Sequence, residues 1–389
     1  MRARVAKKGG TPLPALARPP AHLSDSVRIL EDQNDSDFLR EDPLLKVVCG
    51  SLPESGADLA SQPTICRMEN AATGRSCRQI AEVLFERYLN EREHDGAAPE
   101  KVLLDFDATD DPVHGEQEDS YYHGYYGQHM YHPLLVFDGE SGHLVTARLR
   151  TGNTHASRSS VAVLKRIVCG LRGRWPEVRI EIRADPGFAI PALYDYCERE
   201  GISYTIALIT NERLKRMAED LLEAATQEHE RTGEKARLFG AANWERERRV
   251  VYKAEAMEQG NNRRFVVSTR DDGPEELYEF YARRGEAQNW IKDFKLHLKA
   301  DRLSCHRFLA NQFRLLLHAA SYWLLDALRR KLIESGTRRM QLDTLRIRLI
   351  EIGGRVREQF TKIRLHLASG QPGQDSWHAL SGTFGAVHE

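Results

Sequence analysis

The sequence predicts an α/β protein built on a sheet of mixed strand direction. Three observations carry that reading. Val102-Leu103-Leu104-Asp105-Phe106-Asp107 is a short apolar run ending in acids, the pattern of a buried strand. Three more strand-like runs follow, Tyr121 to Tyr126, His132 to Phe137 and Leu144 to Leu149, with Asp138-Gly139-Glu140-Ser141-Gly142 as a hairpin turn. Helix and strand patterns then alternate: 156–172 helical, Val178 to Arg183 a strand, Ala189 to Glu200 helical, Ser203 to Ile209 a strand.

The flanking elements follow in chain order. Residues 1–27 carry Gly9-Gly10 and four prolines but few large apolar side chains, and read as a disordered tail. From Ile29 the period becomes helical, with Asn34-Asp35-Ser36-Asp37 as caps and further helices over 61–92, so 28–99 reads as a helical amino-terminal region. The sheet segment runs from 100 to 300. Its highly charged stretch, about 211–262, reads as an inserted subdomain, first helical and then stranded near Arg249 to Ala254. Phe265 to Thr269 returns as a strand. Pro274 to Leu298 reads as one long helix and 307–330 as another. Residues 301–370 form a basic helical carboxyl region, and 371–389 a flexible tail.

The chain has 389 residues, 41% hydrophobic and 29% charged, with a formal net charge of −1. That balance excludes a uniformly basic coat but not local basic patches. No run of eighteen apolar residues occurs, and no apolar signal core follows the basic start, so a cytoplasmic protein without a membrane partner is expected. Six cysteines at 49, 66, 77, 169, 197 and 305 form no Cys-x-x-Cys pair, which fits reduced thiols better than disulfides or zinc.

Asp107 and Asp185 each end a strand, the latter just before Pro186-Gly187. Acids at the carboxyl ends of neighbouring strands can converge where ligands of open α/β sheets bind. Two hard cations about 3.5–4 Å apart need shared carboxylate oxygens to clamp the oxygens of a phosphoryl transfer. Strand-end acids are also common as caps and turn formers, and Asp105 competes with Asp107 because it shares its strand face. On the helix after 276, Tyr281, Arg284, Gln288, Lys292 and Lys295 recur at three- and four-residue spacing, either a phosphate-tracking stripe or a solvated face.

These residues resemble a known group. Leu104-Asp105-Phe106-Asp107-Ala108-Thr109-Asp110-Asp111-Pro112 is similar to the first-acid motif of bacterial insertion-sequence transposases with a DDE catalytic domain, nearest to the group-one DDE family that includes the Acetobacter-type elements. Arg183-Ala184-Asp185-Pro186-Gly187-Phe188 resembles the second motif. Tyr281 through Lys292 resembles the third, the Tyr-x-x-Arg-x-x-x-Glu signature followed by Lys. The resemblance covers roughly residues 30 to 370. It implies a ribonuclease H-like fold and a transposase that hydrolyses DNA at its element's ends and transfers the strand. It further implies two Mg2+ or Mn2+ ions, double-stranded DNA (terminal inverted repeats and target) as partner, and a homodimer on DNA, in a bacterial cytoplasm and at the nucleoid when bound. Carried over by motif, Asp107 and Asp185 hold the metals, Tyr281 and Arg284 position the strand, and Lys292 contacts phosphate.

The sequence departs from the pattern at two places. Gln288 stands at the third-acid position, and a neutral amide brings no charge to two dications, so impaired activity is expected. The alternative is an inactive DNA-binding remnant. Glu286 is a possible substitute ligand, but two residues along a helix place it roughly 200° around the axis. The amino-terminal segment also differs from that of relatives and reads as truncated.

Residues 328–366 hold eleven Lys or Arg against four acids. Arg329, Arg330, Arg355 and Arg357 are candidate DNA contacts; the alternative is Arg stems laid over a core. Tyr121, Tyr122, Tyr125 and Tyr126 could stack on a flipped base, although strand packing explains them as well. His114, His123, His129 and His132 match no zinc spacing.

Overall fold

The computed structural model describes residues 2–6, 35–93, 97–244, 247–368, 370 and 373–383. The chain forms two compact units. One, the sheet unit, comprises 82–110 and 120–290; the other, the helical unit, comprises 1–81, 111–119 and 291–389.

Among the described residues, the main sheet of the sheet unit has eight strands: β1 Lys101–Ala108, β2 Leu134–Asp138, β3 Leu144–Arg148, β4 Arg179–Ala184, β5 Ser203–Leu208, β6 Ala236–Asn243, β7 Arg249–Ala256 and β8 Asn262–Ser268. Their order across the sheet is β6-β7-β8-β5-β4-β1-β2-β3. β1 pairs antiparallel with β2, and β2 with β3; β1, β4 and β5 are parallel. The order β3-β2-β1-β4-β5, an antiparallel meander continued by two parallel strands, is that of a ribonuclease H-like sheet. Helices Ser160–Arg174 and Pro191–Glu200 make the two crossovers that parallel pairing requires. From Val102 to Ala108, β1 is buried at every position, which explains why its sequence is continuously apolar apart from Asp105 and Asp107.

The charged stretch read as an inserted subdomain extends this same sheet. β6, β7 and β8 pair antiparallel in turn, and β8 continues onto β5. Helix Glu219–Thr232 packs on β6 and β7 through Ala225, Ala236, Ala254 and Ala256, small residues that let helix and sheet approach closely. The long helix expected over Pro274 to Leu298 is broken into Pro274–Ala282, Gly285–Lys292 and a π-type turn at Asp293–His297. Gly285 explains the first break, because it lowers helix propensity where the chain turns.

In the helical unit, the 27-residue helix Phe308–Glu334 packs against Gln62–Asn70, Leu342–Leu349 and Gln374–Thr383. Two expectations are corrected here. The carboxyl region is not wholly helical: Gly354–Glu358 and Lys362–Leu367 form a hairpin. The segments read as tails carry structure, since Arg2–Ala6 pairs with Lys362–Leu367 and Gln374–Thr383 is a helix. The Gly-Pro stretch 7–27 and the helix start at Ile29 to Asn34 lie outside the described residues. None of the six cysteines is in a disulfide. Among the described residues no helix is long and apolar enough to cross a membrane.

Candidate active site

β1 and β4 lie side by side and parallel, so their carboxyl ends deliver Asp107 and Asp185 to the same edge of the sheet. Asp185 is locked by the turn that follows: its Oδ1 accepts the Gly187 N–H at 2.8 Å and caps the 3-10 turn Pro186–Phe188. Phe188 is buried and meets Phe106 of β1 edge-on, centroids 5.9 Å apart. A Cβ at Gly187 would lie 2.7 Å from that of Ala156, so only glycine allows this close approach.

The competition between Asp105 and Asp107 is resolved by their partners. Asp105 accepts two hydrogen bonds from Arg183 of β4, from Nε at 2.7 Å and Nη2 at 2.8 Å, and both side chains are almost wholly buried. Arg183 Nη1 also donates to the Phe280 carbonyl at 2.8 Å, which ties β4 to the helix that precedes Arg284. Asp105 is therefore consumed by a structural pair. Arg183 is a positioning residue that the sequence reading passed over, although its place two residues before Asp185 was visible.

Asp107 remains for the site. Its Oδ2 accepts from Arg284 Nη2 at 2.7 Å and from Gln288 Nε2 at 2.8 Å. The same Arg284 nitrogen lies 3.8 Å from Asp185 Oδ2. Arg284 and Gln288 are four residues apart, so despite the broken helix they share a face, as their spacing predicted. Helix Gly285–Lys292 is held by Trp290, which packs on Phe137 and fits only because residue 142 is glycine. Burial pushes the Asp107 carboxyl up to about 6; Arg284 opposes the shift and Asp185 adds to it. Arg284 Nε is buried without a hydrogen-bond partner.

Tyr281 is half-buried and packs on Tyr278, centroids 6.2 Å apart. Glu286 is exposed, and among the described residues no group of three or more His, Cys, Asp or Glu is placed to hold a metal ion. The donor set fits one divalent cation between Asp107 and Asp185 better than two, because the remaining ligand position carries a neutral amide. Beside the acids, Tyr126 packs against His123 and His132. Burial raises its phenol to about 12, with Asp110, Asp107 and Asp185 adding to the shift.

The candidate DNA contacts separate. Lys292, Arg355 and Arg357 are exposed, and Lys295 and Arg330 half-exposed. Arg329 is not a surface contact: it is 3% exposed and bound to Asp326 and Asp293. It lies on the packed face of helix Phe308–Glu334.

A family model described as Transposase DDE domain group 1 matches residues 27–384. The chain belongs to that family. As a family member it is a DDE transposase by descent, and the match spans both units. Solved structures are similar to it, and two illustrate them. One is a piggyBac transposase synaptic complex with hairpin DNA, with a TM-score of 0.48 and 9% identity over 83% of this chain and 67% of that one. The other is the catalytic domain of the Mos1 mariner transposase, with a TM-score of 0.21 and 11% identity over 59% of this chain and 95% of that one. Membership rests on the family model. Among curated proteins no match is found.

Proposed function

We propose that this chain is a DNA transposase that hydrolyses its element's ends and transfers the freed strand with the help of Mg2+ or Mn2+, and that Gln288 impairs this copy. The observation that carries the reading is the convergence of Asp107 and Asp185 on one Arg284 nitrogen, at 2.7 and 3.8 Å. Two carboxylates that close to a single cationic atom suit a divalent cation at the same place. Bound there, the ion would supply Lewis-acid stabilisation to the phosphodiester. Asp107 and Asp185 would hold it, and Arg284 beside them would offer its guanidinium to a DNA phosphate. Tyr281 packs behind that arginine, and Lys292, Lys295, Arg330, Arg355 and Arg357 contact the backbone. The active form is a homodimer on paired ends.

One observation favours a second reading, an inactive DNA-binding remnant. Gln288 donates to Asp107 where a carboxylate would repel it, and Arg284 sets one positive charge against the two acids, so part of the charge a metal would balance is already met.

Cleavage of a donor carrying the element's own terminal repeats, in Mg2+ and in Mn2+, distinguishes the two. The expected result is that Gln288→Glu nicks the ends while the unaltered chain binds them and cuts poorly or not at all. Equal cutting by both would overturn the role given to Gln288. If both bind and neither cuts, the remnant reading stands.

A further inference from the structure

Arg150 stands just past the end of β3 and is 4% exposed. Among the described residues its hydrogen bonds all go to main-chain carbonyls. Nε donates to that of His132 at 2.7 Å, and Nη1 to those of Ala156 at 2.6 Å and Arg158 at 2.9 Å. Nη2 is buried without a partner. Burial pulls the guanidinium down to about 10; Arg148 adds to that fall and Asp185 opposes it. A charge buried in this way is costly, so its value lies in what its fork holds. The segment it holds, 151–159, has neither strand nor helix to satisfy its main chain, and inward carbonyls need donors. Alternate carbonyls find them on two buried side chains: Thr154 on His132 Nδ1 at 2.8 Å, Ala156 and Arg158 on Arg150. The His132 N–H in turn donates to the Arg150 carbonyl at 3.1 Å. Ala156, in the middle of the held stretch, stands against the turn that follows β4. A Cβ at Gly187 would come within 2.7 Å of its Cβ and 3.0 Å of Asp185 Oδ1, the oxygen that the Gly187 N–H fixes.

We infer that Arg150 is a positioning residue for Asp185: it holds Ala156 against Gly187, and that contact aims the Asp185 carboxylate. The inference rests on the reading of Asp107 and Asp185 as cation ligands, although the contact itself needs no cation. Asp185 Oδ1 is taken by its own turn, which leaves Oδ2, the oxygen 3.8 Å from Arg284, to face the site. Moving the turn moves that oxygen. Groups behind a metal ligand set its orientation and, through it, the affinity of the site. Arginine is needed for the hold. Its planar fork reaches carbonyls of three residues at once, whereas a lysine ammonium is a point donor that lacks the Nε–H.

The test uses the full chain and two readouts. Mn2+ alone is titrated and followed by electron paramagnetic resonance, and amide hydrogen exchange is read on peptides covering 150–160 and 184–190. Arg150→Lys is expected to weaken Mn2+ binding about 10- to 100-fold, the range for losing a group behind a metal ligand, and to cost both peptides their protection. Gly187→Ala should do the same from the other side of the contact. Adding Ala156→Gly to it should restore most of the Mn2+ affinity, which a general loss of stability would not do. If Arg150→Lys loosens 150–160 but leaves 184–190 and the Mn2+ affinity as in the parent, the inference is overturned. Should Arg150→Lys not fold, the parent decides alone. Over a urea series its two peptides must open as one unit, and opening of 150–160 ahead of 184–190 overturns the inference equally. A parent that binds no Mn2+ sinks the cation reading instead, and the exchange measurements then decide for or against Arg150.

Discussion

Arg284 and Arg329 were expected to do the same work, yet they sit in opposite kinds of charge cluster. Arg329 lies in the helical unit, with Nε and Nη2 on Asp326 and Nη1 on Asp293 at 2.6 Å; Asp293 also accepts from His297 and from the Leu342 N–H. Each of the three guanidinium nitrogens donates. Arg284 lies in the sheet unit, with one nitrogen facing two acids and its Nε buried without a partner. A closed network of this sort holds a fold together. The open one retains unsatisfied polarity and an acid raised to about 6, the signs of a site built for something else.

The comparison can be broken by substitution. The largest effect is expected at the closed cluster. Arg329→Met strands two buried carboxylates and should cost about 3–5 kcal/mol in urea unfolding; a loss below about 1 kcal/mol would show that the cluster is not structural. Next is His132, whose Nδ1–H donates to the Thr154 carbonyl and whose imidazole burial holds down at about 4. It stays neutral in the fold while the unfolded chain takes up a proton below about 6.5, so stability should fall as pH drops from 6.5 toward 4, by on the order of 3 kcal/mol. His132→Asn, compared with the parent across that window, isolates the share.

Asp107 has the opposite sign. The unfolded carboxyl gives up its proton near 3.8 and the folded one near 6, so the fold carries a penalty that is complete above pH 6 and disappears toward pH 4. In metal-free buffer at pH 8, Asp107→Asn should therefore raise stability by about 1–3 kcal/mol, whereas Asp326→Asn should lower it. Destabilisation by both would erase the distinction between the clusters. The smallest effect belongs to Gln288→Glu. A second carboxylate against Asp107 should lower the metal-free melting temperature by a few degrees, and Mn2+ should restore it in thermal shift. Indifference to Mn2+ would mean that the acids do not share a cation.

Much of this was legible in the chain. β1 is buried at every position from Val102 to Ala108, and such a strand spells a nearly continuous apolar run, so the acids within it stood out. The three- and four-residue spacing of Tyr281, Arg284 and Gln288 survived a broken helix because a short break leaves the face unchanged. Other features were hidden for physical reasons. β6, Ala-Arg-Leu-Phe-Gly-Ala-Ala-Asn, has no β-branched residue and an internal glycine, and it is a strand only because β7 is there to pair with it. The hairpin at 354–367 was masked by the Leu and Ile spacing just upstream. The burial of Arg329 depends on acids 36 and 3 residues away, a matter of tertiary structure that no local pattern reports.

The three strands added beyond β5 also govern self-association. Without them the sheet would end on β5, whose residues Tyr204 to Leu208 are all buried. An apolar strand with open N–H and C=O groups would be a template for stacking chain on chain. With them the border moves out to β6, where Arg237 is exposed and Gly240 breaks the flat apolar run. A chain that lost residues 236–268 would expose that template, and its failure would be seen first as precipitation.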